Sequence, residues 1–506
     1  MESNIVKYQY SLFIALAFTG LFYVRVLGMD YAGFFDYDTV RNLQIIREVS
    51  QGNFQNLYHH VSPLFFLFYG LVYKIAPSFF FLSTVNMLIN LSGILLLVSY
   101  IAARASLSGP QKVMLFGYAG SSLAMVLTAR CLNIESLGLL LFHGFLIFYH
   151  WSVLRKDVPA FWWYTWGCFA ALEAVNYRSW VFLPLILLLE LVFFKTNRGW
   201  KAWGIALGCC LAPVFIFTMS SYLTHNDPLR YLKYAWNISF GRSFHPSERV
   251  ALWHTDWLFY FRYWWDFESP LVWVGLPGAV LGIWWRKLPK QDWFRILLMV
   301  SGYLLVVMSV LPKALRGLVF VYPALYALVF WGMMQAKMKP VAFYGLVAMA
   351  IVYQLLLVGI HIYPYSRTQY PAMALAIQQA GVQKLTLTVG LGVVPFLPEG
   401  VETHVIFDEK ALPGLAAQGF THVLVDRYHL VSGIDQFPTL DTLPGLAYFR
   451  EPTLLSPLLY LELAEYSGKS YRQMLHIRQE VLQQDWQLKL VPLSLLTDST
   501  TNLYVP

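Results

Sequence analysis

The stretch FFDYDTVRNLQIIREVSQGNFQNLYHH, residues 34–60, stands between two long apolar runs. Two carboxylates, Asp36 and Asp38, open it and two imidazoles, His59 and His60, close it. Between them Val40, Leu43, Ile46 and Val49 recur at a spacing of three, with Ile45 beside them. Arg41, Asn42, Gln44, Arg47 and Glu48 fall on the other side. That period predicts an amphipathic helix lying along a membrane surface, with Asp38 at its N-cap and Gly52 just past its end. A capping aspartate is the plain structural reading of Asp38; the pair of acids beside a span also invites a chemical one.

The surrounding chain is that of a membrane protein. Its 506 residues are 58% apolar and 13% charged, against roughly 25% charged in a soluble domain, and the mean hydropathy is +0.52. Apolar segments fall at 8–28, 78–103, 113–130, 134–151, 160–177, 179–195, 202–223, 270–285, 293–311, 315–334 and 340–362, which is about eleven runs near the length of a transmembrane helix. The first is too long, and lacks the small-residue cleavage site, for a cleaved leader. Cys131, Cys168, Cys209 and Cys210 lie in or beside these runs, spaced neither as a zinc site nor as a disulfide framework, and read as small buried hydrophobes.

Loop charge orients the segments. With the N-terminus in the cytoplasm, alternate short loops carry Arg104 and Lys112; Arg155 and Lys156; Lys195, Arg198 and Lys201; Arg286, Lys287, Lys290 and Arg295; Lys337 and Lys339. These basic loops fit the cytoplasmic side. The longer connections 29–77 and 224–269, and everything after about residue 363, then lie outside. Two parts follow: a membrane domain over 1–362 with outer loops 29–77 and 224–269, and an outer-face α/β domain over 363–506. In the latter KLTLTVG, THVIFDE and THVLVDR read as short strands, with helical PAMALAIQQAG before them. The GLG at 390–392 lacks the third glycine and the helix of a nucleotide-binding turn.

Polar groups gather on the outer side. The span ends carry Arg130, Asn133, Glu135, Arg178, Lys313 and Arg316, and loop 224–269 adds Arg242, His245, Arg249, His254, Asp256 and Arg262. Long basic side chains at span ends also snorkel without any function, and Tyr260, Tyr263, Trp264 and Trp265 suit an interfacial belt.

Taken together the elements resemble the GT-C class of membrane glycosyltransferases, whose bacterial members include lipid A aminoarabinose transferases and the protein O-mannosyltransferase-like family. YDTVRNLQIIREVSQGNF followed by HHVSPLFFLFYGLVYKI is similar to the first outer loop of that class, with Asp38 at the acidic position, Gly52 at the glycine, and His60 with Pro63 and Leu64 at a His-x-x-Pro-Leu-like element. RCLNIESLGLLL resembles its Arg…Asn-x-Glu segment, HTDWLFYFRYWWDFESP its stretch from His254 to Tyr260, and LPKALRGLVFVYPALYAL its late span. The likeness covers about 30–335. Where many relatives carry Asp-Glu, this chain has Asp38-Thr39, so Asp36 shares the candidacy.

The resemblance implies transfer of a sugar from a polyprenyl phosphate or diphosphate to an acceptor hydroxyl at the outer face of a bacterial inner membrane. Catalytic candidates are Asp38, Asp36 and Glu135. Candidates for the donor phosphate or sugar are Arg316, Lys313, Arg130, His60, Arg178 and His254. An ionised aspartate serves as a base, and arginine grips phosphate in a bidentate fork. The resemblance fixes no cofactor; the Asp36-Tyr37-Asp38 spacing could hold a divalent cation with the donor diphosphate, which some relatives use and others do not. Partners are the lipid-linked sugar, a glycan, lipid or protein acceptor, and membrane lipids, with no nucleic acid. The expected mechanism is direct displacement with inversion, Asp38 as base and Arg316 at the leaving phosphate. By analogy with inverting glycosidases the two should stand about a sugar ring apart, roughly 6.5–9.5 Å. A lipid flippase or transporter, or a non-catalytic subunit of a glycan assembly complex, keeps the same spans without a base.

Overall fold

The computed structural model describes residues 2–29, 37–59, 62–194, 198–236, 256–285, 292–311, 313–336, 338–434 and 436–496. Asp36, His60 and His254 lie outside them, as do Arg242, His245, Arg249, Lys195, Arg286, Lys287, Lys290 and Lys337.

Every apolar run expected to cross the membrane contains helix, and local chemistry explains the starts. Ser78 accepts a hydrogen bond from the N–H of Phe81 and opens Phe79–Arg104. Ser108 and Gln111 form a capping box at Gly109–Gly120. Prolines that need no N–H partner open Pro63–Ile75, Pro159–Val175 and Pro340–His361.

Several of the runs are broken. Among the described residues five stretches are long and apolar enough to cross a membrane: Phe79–Arg104, Ile134–Leu154, Trp200–His225, Asp292–Val310 and Pro340–Gln379. A sixth joins if Gly109–Gly120 and Leu123–Arg130, bent by 63°, count as one. Of the about eleven spans expected, these five or six meet that length and hydropathy among the described residues. Run 179–195 divides into the 3-10 turn Tyr177–Val181, the helix Phe182–Leu188 and the π-helical turn Leu189–Phe193. Run 315–334 divides into the 3-10 turn Leu315–Leu318 and the helix Tyr322–Gln335. The chain is a multi-pass membrane protein, and Trp200–His225 directs Leu207, Leu211, Phe215 and Leu223 outward.

Small residues let the helices approach. A Cβ added to Gly275 on Leu271–Trp285 would stand 2.7 Å from the carbonyl oxygen of Val329 on Tyr322–Gln335. This is the close backbone contact on which helix pairs in lipid depend.

The C-terminal segment carries a five-stranded sheet in the order β2-β1-β3-β5-β4, formed by β1 (Lys384–Thr388), β2 (Glu402–Ile406), β3 (His422–Asp426), β4 (Ala447–Phe449) and β5 (Leu488–Pro492). β1 pairs parallel with β2 and β3; β5 pairs antiparallel with β3 and β4. The three strands expected from sequence are β1, β2 and β3, and Tyr370–Gln379 is the expected helix. The glycines of GLG serve packing. A Cβ on Gly390 would run into the carboxylate of Asp426, and one on Gly392 into the ring of Tyr370.

Candidate active site

The helix predicted around 38–52 spans Tyr37–Ser50. It begins one residue before Asp38, which lies in the first turn rather than at the N-cap. An acid there still faces the positive end of the helix. Gly52, at φ +85°, takes the left-handed conformation just past the helix end, as expected.

The helix packs on protein. Val40, Leu43, Ile45, Ile46 and Val49 are buried, and Val49 lies against Gly70 of Pro63–Ile75, where a Cβ would meet it at 2.7 Å. The expected surface-lying helix is thus seated in the fold. Asp38 and Asn42 are buried with it. The Asn42 amide donates to the Leu132 carbonyl at 3.0 Å and to Asn133 Oδ1 at 3.4 Å. Asn133 Oδ1 also accepts the Ile134 N–H at the start of Ile134–Leu154, whose first turn carries Glu135. These contacts bring the acids of two distant stretches to one place.

Arg316 meets them there. It sits on Leu315–Leu318, where the chain turns between two apolar helices. Its Nη2 lies 2.9 Å from Asp38 Oδ2 and 2.8 Å from Glu465 Oε1, and its Nε lies 2.9 Å from Glu462 Oε1 and 3.9 Å from Glu135 Oε1. Its backbone N–H donates to Glu462 Oε2 at 3.2 Å. Tyr466 adds a 3.5 Å hydrogen bond from its hydroxyl to Asp38 Oδ2. One buried guanidinium therefore faces four carboxylates, and an anion can approach it only as one of them gives way.

As folded, Asp38 and Arg316 are in contact; their separation by about a sugar ring is an expectation for the donor-bound state.

The other candidates fall in different places. Arg130 donates to the carbonyls of Arg25, Leu27 and Gly28 at 2.8, 2.7 and 3.4 Å, and to Ser366 Oγ at 2.8 Å. It thereby ties the end of Glu2–Val26 to the segment entering the C-terminal sheet, an anchoring role. Arg178 is exposed, and acts on Glu135 and Tyr260 electrostatically. Lys313 is buried and donates to the Leu311 carbonyl at 2.6 Å. Burial lowers its pKa to about 8, with Asp256 partly opposing. Asp256 itself takes both hydrogen bonds of Arg262, at 2.9 and 3.1 Å, and the Tyr471 N–H at 2.9 Å. Among the described residues no group of three or more His, Cys, Asp and Glu is arranged to hold a metal ion.

Two features escaped the sequence reading. Glu462 and Glu465 come from Pro457–Glu462 and Ala464–Ser467, beyond the sheet's fourth strand. Two acids three residues apart in the apolar run LLYLELAEY were the available signal. The second is Glu268, buried beside the bend at Ser121–Ser122. It accepts from Ser122 Oγ at 3.0 Å, the Ala124 N–H at 2.9 Å, the Tyr263 hydroxyl at 3.1 Å and the Tyr326 hydroxyl. A carboxylate on the first-turn N–H of Leu123–Arg130 caps the second half of the broken span.

No family model and no curated protein matches the sequence. The solved structures that share the fold include two of ArnT from Cupriavidus metallidurans, a lipid A aminoarabinose transferase of the GT-C class. The apo structure is 14% identical with a TM-score of 0.56, covering 88% of this chain and 97% of that one. The structure bound to undecaprenyl phosphate is 15% identical with a TM-score of 0.57, covering 87% and 96%.

Proposed function

We propose that the chain is an integral-membrane glycosyltransferase. It moves a sugar from a polyprenyl-phosphate-linked donor to an acceptor hydroxyl at the outer face of the membrane, with inversion at the anomeric carbon. The observation that carries this reading is the junction of Asp38 and Arg316 at 2.9 Å, within a fold that in ArnT binds undecaprenyl phosphate. The orientation, with a cytoplasmic N-terminus and the C-terminal sheet outside, rests on the basic loops.

The chemistry follows from what the side chains can do. Arg316 presents N–H groups to the leaving phosphate and offsets the charge that grows there as the glycosidic bond breaks. Asp38 takes the proton of the acceptor hydroxyl as its oxygen attacks the anomeric carbon. For attack in line with departure, the sugar must come between them, so the Asp38–Arg316 contact opens as the donor enters. Glu135, 3.9 Å from the guanidinium, then remains as a counter-charge for Arg316. Asp38 is in the first turn of a helix packed against protein, which holds its carboxylate in one direction.

The test is transfer itself. The purified chain in proteoliposomes should release polyprenyl phosphate from a polyprenyl-phosphate sugar when given an envelope extract as acceptor, and D38N should lose that release by about 10²-fold or more. Full release from D38N would remove Asp38 as base and leave Asp36 and Glu135. No release from the wild type with any extract would favour a transporter or a non-catalytic subunit.

A further inference from the structure

The four carboxylates around Arg316 are not equivalent. Glu462 holds the residue at two points, with Oε1 on the side-chain Nε at 2.9 Å and Oε2 on the backbone N–H at 3.2 Å. Its helix is fixed: Leu458, Leu459, Tyr460 and Leu461 are wholly buried. Glu465 makes a different contact. It reaches Arg316 with a single oxygen, 2.8 Å from Nη2, the same nitrogen that Asp38 approaches at 2.9 Å. It stands on the four-residue turn Ala464–Ser467, which ends at Gly468 with φ +63°. Of that turn only Ala464 is buried.

We infer that Glu465 occupies, on Arg316, the place that the donor's phosphate takes, and that it leaves when the phosphate arrives. The inference rests on the reading of Arg316 as the phosphate-binding residue. Charge requires an exchange of this kind. A guanidinium already facing Asp38, Glu135, Glu462 and Glu465 repels a fifth anion unless one carboxylate withdraws. Anchoring selects which one. Glu462 is clamped through the main chain as well as the side chain, and Glu135 is fixed in a helix and stands farthest off. Asp38 gives up its contact as the sugar comes between, but it stays beside the acceptor, so its charge does not leave the site and Glu465 still covers the Nη2 edge. Glu465, single-contact and on a short turn, is the one free to swing. In the folded chain it keeps the Nη2 edge paired, so that no buried cation is left bare. Its cost is that it competes with the ligand: the apparent affinity falls by the fraction of time the edge is occupied.

No covalent step is involved, so the test is binding. Undecaprenyl phosphate is titrated into the full chain in nanodiscs, following the fraction bound by native mass spectrometry. E465Q, which keeps the shape but loses the charge, should bind undecaprenyl phosphate about five-fold tighter or more than wild type. E462Q should bind it about ten-fold weaker, through loss of a charge-assisted hydrogen bond that fixes the arginine. A gain in affinity is a readout that damage to the fold does not produce; E465A serves if E465Q does not purify folded. Wild-type binding with E465Q equal or weaker overturns the exchange. So does equal tightening by E465Q and E462Q, which would show only a general relief of negative charge. Failure of wild type and E465Q alike to bind overturns the phosphate reading of Arg316, and the exchange with it.

Discussion

Asp38 and Arg316, brought together from the first connecting segment and a late turn of the membrane region, share a 2.9 Å contact through Oδ2 and Nη2. The same two residues are given opposite tasks in the proposed transfer, one on the acceptor and one on the leaving phosphate. Their substitutions should therefore separate kinetically. D38N should lower turnover while leaving the affinity for undecaprenyl phosphate within about three-fold of wild type, and R316A should weaken that affinity as well, because the phosphate is present in both ground and transition states. Parallel loss of both quantities in D38N would show that Asp38 serves mainly to hold Arg316.

Arg316 should also be a stability determinant. R316A leaves Asp38 and Glu462 buried, and Glu465 beside them, without their cation, a change expected to cost about 3–5 kcal/mol. The melting temperature in detergent should fall by several degrees at pH 7. R316K, which keeps the charge, should recover part of the deficit; equal falls for R316A and R316K would show that the lost charge is not its source.

How far the sequence foretold this arrangement depends on the range of the interactions. Phe79–Arg104 and Trp200–His225 were legible because they are long and predominantly apolar, a property of the local chain alone. β1, β2 and β3 were legible as short runs of Leu, Val, Ile and Thr. β4 is three residues long, and β5 carries Lys489, a buried lysine that reaches the carbonyls of Leu440, Asp441 and Leu443. Neither offers a local pattern. The helix bearing Asp38 was legible from its period, yet its apolar stripe is covered by protein where a membrane surface was expected, because amphipathicity fixes a face and not what covers it. Arg316 and Glu135 stood out as charges at the ends of apolar runs. Glu462 and Glu465 did not, since their role exists only once the C-terminal segment folds back over the membrane region.

The bend at Ser121–Ser122 should depend on Glu268. E268A leaves the hydroxyls of Ser122, Tyr263 and Tyr326 and the Ala124 N–H without their common acceptor. With two or more of these left unpaired, the loss should be about 3 kcal/mol or more. E268Q keeps an acceptor oxygen on the Oε1 side and an amide able to donate to the Tyr326 oxygen, so its melting temperature should fall clearly less. Equal falls for the two variants would mean that the charge, rather than the hydrogen bonds, holds the bend.

Membrane sidedness is open to direct labelling. Lys156, in the connection between Ile134–Leu154 and Pro159–Val175, and Gln383, exposed just before β1, should lie on opposite sides. Single cysteines at these positions, in a background lacking Cys131, Cys168, Cys209 and Cys210, should react with an impermeant maleimide from opposite faces of sealed vesicles. Labelling from one face would overturn the orientation drawn from the basic loops.

Asp426 should make the C-terminal segment sensitive to pH. Burial raises its pKa from 3.8 to about 7, against the hydrogen bonds from the Tyr428 N–H and the Tyr370 hydroxyl, and Glu451 adds to the rise. The folded chain thus holds this proton more tightly than the unfolded one. The protonated acid favours the fold fully below the unfolded value near 3.8, and that advantage is lost as pH rises through about 7. D426N imitates the protonated form: its oxygen can still accept from the Tyr428 N–H, at 2.9 Å in the wild type, and its amide can donate to the Tyr370 oxygen, at 2.8 Å. The melting temperature of D426N relative to wild type should therefore increase from pH 5 to about pH 7 and level off above it. Because the Tyr428 hydroxyl accepts the Tyr37 N–H at 3.1 Å, loosening of this corner in the wild type at high pH reaches the first turn of the helix that carries Asp38. Transfer activity of D426N should then hold up better than that of the wild type at pH 8. A melting difference independent of pH over that range would show that Asp426 does not change its protonation there, and would break the link to Asp38.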